Sequence, residues 1–396
     1  MRLVPIGSVR EGTKLGKDIY NEKGSVLLKR GVVLNESLLQ RIEDNKVFTV
    51  YVDDEYSDKE IEDIIRPELR QRAVVSLKET FDQIDKFNRQ SKQSDDIKLR
   101  EDLLIKRMEK YISCLKQVSE LIVDEISSNR QIMINLVDIK NIDTYTYQHS
   151  LNTAILSIIL GMEMKYRRDE LFKLFFGALL HDIGKAFIPR SIIDKRGAYT
   201  EEEVAMIKEH PDRGYNYLKE FYGIPSPSKV VAIQHHEKYD GSGYPKGMSG
   251  TYIHKFSRIV AIADVYDSMT SDSPNSRALP PNEAIEYIMG AAGSHFDFEM
   301  ASVFCRKVIP YPEGTLVNIS TGQIAVIVSV NPNYPLRPRI KILKSGVHVN
   351  DLPVTDLLTV TDVTITGVEY KAPDSDVAVA EEELNIAING KGAGHQ

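Results

Sequence analysis

The sequence predicts a mainly α-helical protein with a small α+β module at its N-terminus and a small β-rich appendage near its C-terminus. Residues 131–308 read as almost continuous helix with loops, and residues 57–130 place apolar residues at helical spacing. Short alternating runs, typical of strands, are confined to 1–56 and 309–371. Because the chain has 396 residues, it is longer than one ordinary domain, and we expect two or three.

The N-terminal module, residues 1–56, predicts a few short strands around one short helix. The alternating runs cover 3–6, 24–28 and 47–52, and the helix is expected to begin after Asn35, which would cap it. The module carries no catalytic motif.

The segment 57–130 predicts two long helices that are separated by a polar break at 90–96. Two arrangements fit this pattern. The helices pair within the chain as a long helical linker, or they form a coiled-coil contact between two chains and make the protein a homodimer.

After the helical region the pattern changes to β-like runs at 314–319, 324–330 and 339–343, separated by Gly, Asn and Pro. These runs predict the β-rich appendage over 309–371. The remaining residues, 372–396, include an acidic triplet and end in small and polar residues, so we expect them to be disordered.

The composition argues against several classes of protein. A net charge of −7 argues against binding of duplex nucleic acid through phosphate neutralisation. No stretch approaches the roughly eighteen apolar residues that a membrane span requires, and the N-terminus lacks the apolar core of a signal peptide. Cys114 and Cys305 are far apart and match no disulfide framework or metal motif. We therefore expect a cytoplasmic protein with reduced cysteines.

A histidine–aspartate dipeptide ends the apolar stretch 171–180 and places two metal-capable side chains at one point. Alone, such a dipeptide means little. Here, however, five of the nine histidines and two aspartates form one set. The candidate metal ligands are His149, His181, Asp182, His210, His235, His236 and Asp264.

The local sequence supports several members of this set. His210 precedes Pro211 and therefore lies at the boundary of an element. His235 and His236 end an apolar run, and because neighbours on a helix point about 100° apart, both reach one site only if the helix ends there. Asp264 follows five apolar residues, and a buried lone carboxylate needs a cation or several hydrogen bonds.

Seven ligands are too many for one ion and suit two ions that share a bridging group. A carboxylate bridges better than an imidazole, so Asp182 is the expected bridge. Imidazole and carboxylate together suit first-row divalent metals, and we expect two ions of iron or manganese. Two metals about 3.5–4 Å apart generate a hydroxide and stabilise the attacking and leaving oxygens in phosphoryl chemistry. Lys185 would neutralise a phosphate oxygen, and Asp267 would support the ligands from the face it shares with Asp264.

At this point a family resemblance is evident. Residues 131–308 resemble an HD-GYP domain, the branch of the HD phosphohydrolase superfamily whose members typically hydrolyse cyclic di-GMP. The matching blocks are His149, 181–185, 210–211, 235–237, 240–245 and 263–267. The resemblance implies an HD-domain helical bundle with a metal pair at its centre, Asp182 and Lys185 as catalytic residues, and the opening of cyclic di-GMP to pGpG or on to GMP. In similar proteins the loop 241–245 also contacts partners, including diguanylate cyclases, and Tyr244 approaches the substrate.

Two departures from the family pattern bear on the chemistry. Some members carry a Glu that supports a third metal where this chain has Tyr145, so we expect two metals. Ser273 and Ser276 occupy the positions of two arginines that contact phosphate in the family, and Arg277 is the expected replacement. The substrate is therefore open between cyclic di-GMP and another cyclic dinucleotide. A non-catalytic module that senses a nucleotide or docks a protein is the third alternative.

Overall fold

The computed structural model describes residues 1–20, 25–45, 47–57, 64–91, 97–128, 145–193, 195, 197–272, 278–331, 333–344 and 346–371. The chain forms two compact units. A mixed unit contains Met1–Ile19, Val26–Ile61 and Ile309–Gln396, and a helical unit contains Tyr20–Ser25 and Glu62–Val308. The predicted fold class, mainly α with a β-rich appendage, is confirmed.

The N-terminal part of the mixed unit has short strands and one helix, as predicted. In chain order these are β1 (Arg2–Pro5), β2 (Lys14–Leu15), β3 (Ile19–Tyr20), β4 (Val26–Leu28), α1 (Glu36–Asp44) and β5 (Thr49–Asp53). Strands β1 and β2 flank β5 in an antiparallel sheet, and β3 pairs with β4. The predicted cap is confirmed, because the side chain of Asn35 accepts a hydrogen bond from the Leu38 amide at 2.9 Å.

The C-terminal part of the mixed unit is an antiparallel sheet of five strands. They are β6 (Leu316–Ile319), β7 (Ile324–Ser329), β8 (Arg339–Ile342), β9 (Thr355–Asp356) and β10 (Ile365–Glu369). Their order across the sheet is β10-β6-β7-β8-β9. Val317, Ala325, Ile327 and Ile340 are buried in a small core on this sheet.

The mixed unit combines described residues of the N-terminal module, 1–56, with described residues of the β-rich appendage, 309–371. The N-terminal amine of Met1 donates to the Ser57 carbonyl at 2.8 Å. The Arg2 guanidinium donates to the Tyr370 carbonyl at 3.1 Å. Such contacts between residues that are distant in the chain leave no local pattern in the sequence. The exact module boundaries stay a prediction.

The helical unit contains the remaining helices. They are α2 (Pro67–Ser91), α3 (Ile97–Ser128), α4 (Tyr145–Glu163), α5 (Arg168–Leu179), α6 (Arg190–Ile193), α7 (Glu201–Ile207), α8 (His210–Leu218), α9 (Ser226–Gln234), α10 (Lys255–Met269), α11 (Pro281–Gly290) and α12 (Phe298–Lys307). None of these described helices is both long and apolar enough to cross a lipid bilayer.

Helices α2 and α3 contribute to the core of the helical unit. Leu77 on α2 and Leu115 on α3 are fully buried in the same apolar cluster as Leu151 on α4 and Phe175 on α5. Of the two arrangements that the sequence left open, the structure shows pairing within the chain. The homodimer stays a prediction, and 92–96 in the polar break lie outside the described residues.

Helix α4 lies at the centre of the bundle and is buried on all sides, which is typical of an interior helix. It packs against both α5 and α10. Helix α5 ends at Leu179 and is followed, after His181 and Asp182, by a 3-10 turn over Ile183–Phe187. The bundle thereby brings the first turns of α4, the end of α5 and the tight turn after α5 close together.

The turn after α5 touches the start of α8 without an intervening side chain. A Cβ placed on Gly184 would lie 1.9 Å from the His210 carbonyl oxygen and 2.8 Å from the Gly214 amide nitrogen. Only glycine at position 184 permits this approach. The contact fixes the position of His210 relative to the histidine–aspartate dipeptide.

Substituting Gly184→Ala should destabilise the protein, because the added methyl group meets backbone atoms that cannot rotate away. We expect a loss of about 1–3 kcal/mol or more in the free energy of unfolding, measured by urea titration with a chelator present. Gly223→Ala is the matched control, since a Cβ there meets nothing within 4 Å. Equal stabilities of the two variants would contradict the tight contact.

Candidate metal centre

The seven predicted ligands converge in the helical unit and form two groups. The ligand atoms within each group all lie within 4.8 Å of one another. One group is Asp182, His210, His235 and His236, and the other is His149, His181 and Asp264. Except for His236, which is partly exposed, all are buried.

The ends of helices position most of these side chains. His210 is the first residue of α8, with Pro211 in the first turn, as the sequence predicted. Helix α9 ends at Gln234 and His235 is its C-cap, which is the helix end that the paired histidines require. Asp264 comes from the middle of α10 and points towards α4.

The carboxylate of Asp182 faces both groups with different oxygens. Its Oδ2 lies 3.4 Å from Nε2 of His181 and 3.8 Å from Nε2 of His149. Its Oδ1 lies 3.3 Å from Nε2 of His210 and 3.9 Å from Nε2 of His235. This arrangement suits a carboxylate that bridges two cations.

Three of the histidines are held from behind by backbone carbonyls. Nδ1 of His181 lies 2.7 Å from the Ala178 oxygen, and Nδ1 of His210 lies 2.7 Å from the Ile207 oxygen. Nδ1 of His235 lies 3.1 Å from the oxygens one turn back in α9. A carbonyl only accepts, so each Nδ1 carries the proton and each Nε2 presents a lone pair to the centre.

Two of the atoms that face inward have no hydrogen-bond partner in the described part of the protein. Among the described residues, His181 Nε2 and Asp182 Oδ1 are buried with no hydrogen-bond partner. Nε2 of His210 also faces Nε2 of His235 at 3.1 Å. Unpaired buried acceptors are costly, whereas bound cations would satisfy all of them, so this set of residues fits divalent metal ions.

His149 is held by a carboxylate instead of a carbonyl. Its Nδ1 lies 2.7 Å from Asp267 Oδ2, and its Nε2 lies 3.0 Å from Asp264 Oδ1. Asp267 therefore lies behind His149, where the sequence had placed a supporting residue. The ring of Tyr145 stacks on that of His149, with centroids 5.6 Å apart and planes at 4°.

The histidines differ in their affinity for protons. Burial lowers the pKa of His210 to about 3 and that of His236 to about 4, and it holds the pKa of His235 well below its ordinary value. Burial also opposes a charge on His149, but the hydrogen bonds that its ring donates to Asp264 and Asp267 raise its pKa to about 9. Most imidazoles are thus neutral and ready to bind a metal at neutral pH.

Lys185 lies in the 3-10 turn and donates to Asp182 Oδ2. Its side chain is 28% exposed, whereas that of Asp182 is 1% exposed, so the ammonium group lies between the buried cluster and the solvent. Burial raises the pKa of Asp182, but the charge of Lys185 and the interactions with His181 outweigh it and hold that pKa well below its ordinary value.

The glycine-rich loop lies over the end of α9. The ring of Tyr244 stacks on His236 with centroids 4.7 Å apart, and the Tyr244-Pro245 bond is cis. The buried carboxylate of Glu237 accepts hydrogen bonds from the amides of Lys246 at 2.7 Å and Met248 at 2.9 Å. Glu237 thereby holds the loop that positions Tyr244.

Sequence reasoning assigned no role to three residues around the centre. They are Asn152 on α4, Glu237 in the loop, and Lys208, whose ammonium nitrogen lies 5.5 Å from the centroid of the Tyr244 ring. Asn152 was detectable as a polar residue in an apolar helix, and Lys208 as a cation close to His210. Of the predicted substrate contacts, Lys185 and Tyr244 lie at the centre, whereas Arg277 lies outside the described residues, as do Ser273 and Ser276.

The metal-free protein should lose stability between pH 6.5 and about 9. The pKa of His149 is raised from 6.5 to about 9 in the fold, so its stabilising contribution is fully present below pH 6.5 and disappears as the pH rises through about 9. That contribution is on the order of 3 kcal/mol. Urea unfolding across this pH range with a chelator present measures it.

His149→Gln is the control for this loss, because glutamine does not titrate. Its stability should change much less over the same pH range than that of the unsubstituted protein. Identical pH profiles would show that His149 is not the group responsible.

Comparison with known proteins identifies two matched regions. A model of the HD domain matches residues 121–300, and a model of the KOW domain associated with HD domains matches residues 316–370. A cyclic di-GMP phosphodiesterase of Pseudomonas aeruginosa is 33% identical over 229 residues, which are 57% of this chain and 55% of that protein. The cyclic di-GMP phosphodiesterase PdeB of Borreliella burgdorferi is 28% identical over 243 residues, 61% of this chain and 64% of that protein.

A 3'3'-cGAMP-specific phosphodiesterase of Vibrio cholerae is 37% identical over 166 residues, which are 41% of this chain and 37% of that protein. This chain therefore aligns with less than two thirds of the length of the Pseudomonas and Borreliella proteins, 55% and 64% respectively. The HD-domain match contains all seven converging histidines and aspartates. Residues 121–300 therefore match an HD domain, and together with the similar phosphodiesterases this match supports a protein of the HD-GYP type.

Proposed function

We propose that this protein is a metal-dependent phosphodiesterase that hydrolyses cyclic di-GMP to pGpG, to GMP or to both. The observation that carries the proposal is the buried pair of ligand groups on either side of Asp182. The names of the similar Pseudomonas and Borreliella proteins support the substrate class.

Each ligand group would hold one divalent cation. His149, His181 and Asp264 form one site, His210, His235 and His236 form the other, and Asp182 is shared. This mixture of imidazole and carboxylate suits iron or manganese. When bound, two such ions lower the pKa of water and stabilise developing charge on phosphoryl oxygens. Tyr145, stacked on His149, stands where a third metal would need a carboxylate.

The other residues would bind and orient the phosphodiester. The ammonium group of Lys185, at the solvent side of the cluster, would neutralise a non-bridging phosphate oxygen. The ring of Tyr244 would shield His236 from water and would form the wall of the substrate site on that side. Arg277 stays a predicted phosphate contact.

A second candidate is the hydrolysis of a different cyclic dinucleotide. Ser273 and Ser276 replace the usual arginines, and a Vibrio relative is named as specific for 3'3'-cGAMP. A non-catalytic sensing or docking module is less well supported, because all seven ligand side chains are present and converge. Contact between the loop 241–245 and a diguanylate cyclase stays a prediction.

The proposed function is tested by purifying the protein without oxygen, measuring its metals by elemental analysis, and assaying cyclic di-GMP and 3'3'-cGAMP. We expect about two metals per chain and hydrolysis of at least one diester. Asp182→Ala should lower turnover at least about 100-fold, because the loss of even an indirect supporting residue costs about 10–100-fold. Asp169→Ala is the matched control, since Asp169 pairs with Lys173 on the surface of α5.

The outcomes separate the alternatives. Hydrolysis of 3'3'-cGAMP but not of cyclic di-GMP favours the second candidate. Two bound metals with no turnover of either diester contradicts the cyclic di-GMP proposal and points to another cyclic dinucleotide as the substrate to assay next. A protein that binds no metal would be a docking or sensing module.

A further inference from the structure

A hydrogen-bonded chain of four side chains connects helix α2 with a ligand of the proposed metal centre. Arg70 on α2 donates to Asn152 Oδ1 at 2.8 Å, and Asn152 Nδ2 donates to Asp267 Oδ1 at 3.2 Å. The other oxygen of Asp267 accepts from His149 Nδ1 at 2.7 Å. We propose that Arg70 and Asn152 are positioning residues that fix His149 for metal binding, an inference that rests on the metal centre of the proposed function.

The chemistry of each group fixes which atom donates and which accepts in all three hydrogen bonds. A guanidinium only donates and a carboxylate only accepts, so the amide of Asn152 must turn its oxygen to Arg70 and its nitrogen to Asp267. The carboxylate of Asp267 in turn requires the proton of His149 on Nδ1. Nε2 of His149 is then the atom that faces Asp264 and Asp182, where a cation would bind.

Because Asn152 and Asp267 are buried, their hydrogen bonds depend on the particular partners that the fold supplies. Asn152 is 1% exposed and Asp267 is 4% exposed, so neither can replace a lost partner with bulk water. Without the Asn152 amide, the buried carboxylate of Asp267 would lose one of its donors, which is costly for a buried charged acceptor. The orientation of this carboxylate, and with it that of His149, would then be less tightly fixed.

Arg70 links helix α2 to the proposed metal centre. Helix α2 ends before residue 121, where the match to the HD-domain model begins. The guanidinium of Arg70 on α2 is nevertheless the first group in the series of hydrogen bonds that reaches His149. Leu77 and Ile84 bury the same helix in the core that contains α4. Packing holds α2 against α4, and Arg70 uses that contact to orient a polar group of α4.

A merely structural role predicts a different result from a positioning role. If Arg70 and Asn152 only stabilised the fold, their substitution would change the unfolding midpoint and leave metal affinity unchanged. A positioning relay acts through Asp267, so its effect on metal affinity should depend on that carboxylate. Double-mutant cycles measure this dependence, because residues in one network are not additive.

The experiment measures the binding of Mn²⁺ alone to the full-length protein, by competition with a chelator. Asn152→Ala should weaken binding about 10–100-fold, and Arg70→Met should weaken it less, because Arg70 acts one step further away. Arg70→Lys, which keeps a donor, should restore part of the loss. Arg66→Met is the matched control, since Arg66 pairs with Glu125 away from the centre.

The cycle is completed with Asp267→Asn and the double variant Asn152→Ala/Asp267→Asn. We expect Asn152→Ala to weaken Mn²⁺ binding much less in the Asp267→Asn background. Additive effects, or unchanged affinity in both Asn152→Ala and Arg70→Met, would overturn the relay. If Asn152→Ala does not fold, Arg70→Met and Arg70→Lys decide the matter.

The same data distinguish this inference from the proposed function. Normal Mn²⁺ binding and diester hydrolysis in the unsubstituted protein, with no effect of the relay variants, would overturn the relay alone. Mn²⁺ binding that depends on the relay, without hydrolysis of any cyclic dinucleotide, would support the relay and contradict the proposed activity. An unsubstituted protein that does not bind Mn²⁺ would overturn both.

Discussion

The burial of two carboxylates among five histidines is the constraint on which the helical unit depends. Asp182 and Asp264 are almost inaccessible to solvent, and burying an uncompensated charge costs several kcal/mol. The protein compensates with charge from Lys185 and His149 and with imidazoles held by backbone carbonyls. The elements that deliver these groups must end or cross at one place, so the centre dictates where α5, α8 and α9 stop or start.

The features that could be predicted from the sequence depend on short-range rules. A residue before proline is excluded from the helix interior, which placed His210 at the start of α8. Two adjacent histidines can face one site only where a helix ends, and α9 ends at that pair. An Asn before an amphipathic run predicted the cap of α1. In each case a few neighbouring residues contain all the information.

The features that escaped prediction depend on contacts between distant segments. The apolar faces of α2 and α3 fit a linker, a dimer or a core equally well, because periodicity shows that a face is buried but not against what. The hydrogen bond between Arg2 and Tyr370 has no local pattern in the sequence. Asn152 reads as an isolated polar residue until the fold places Arg70 on one side of it and Asp267 on the other.

The contact between Gly184 and the start of α8 fixes the spacing between residues of the centre. Side chains between two elements can change rotamer and let the elements separate, whereas two backbones in direct contact have no such freedom. The distance from Asp182 to His210 is therefore hard to stretch. Calcium needs ligand distances of about 2.3–2.6 Å and many oxygen ligands, whereas zinc takes nitrogen and oxygen ligands at about 2.0–2.2 Å. A rigid, imidazole-rich centre of this kind is expected to discriminate against large, hard cations by its dimensions as well as by its ligand chemistry.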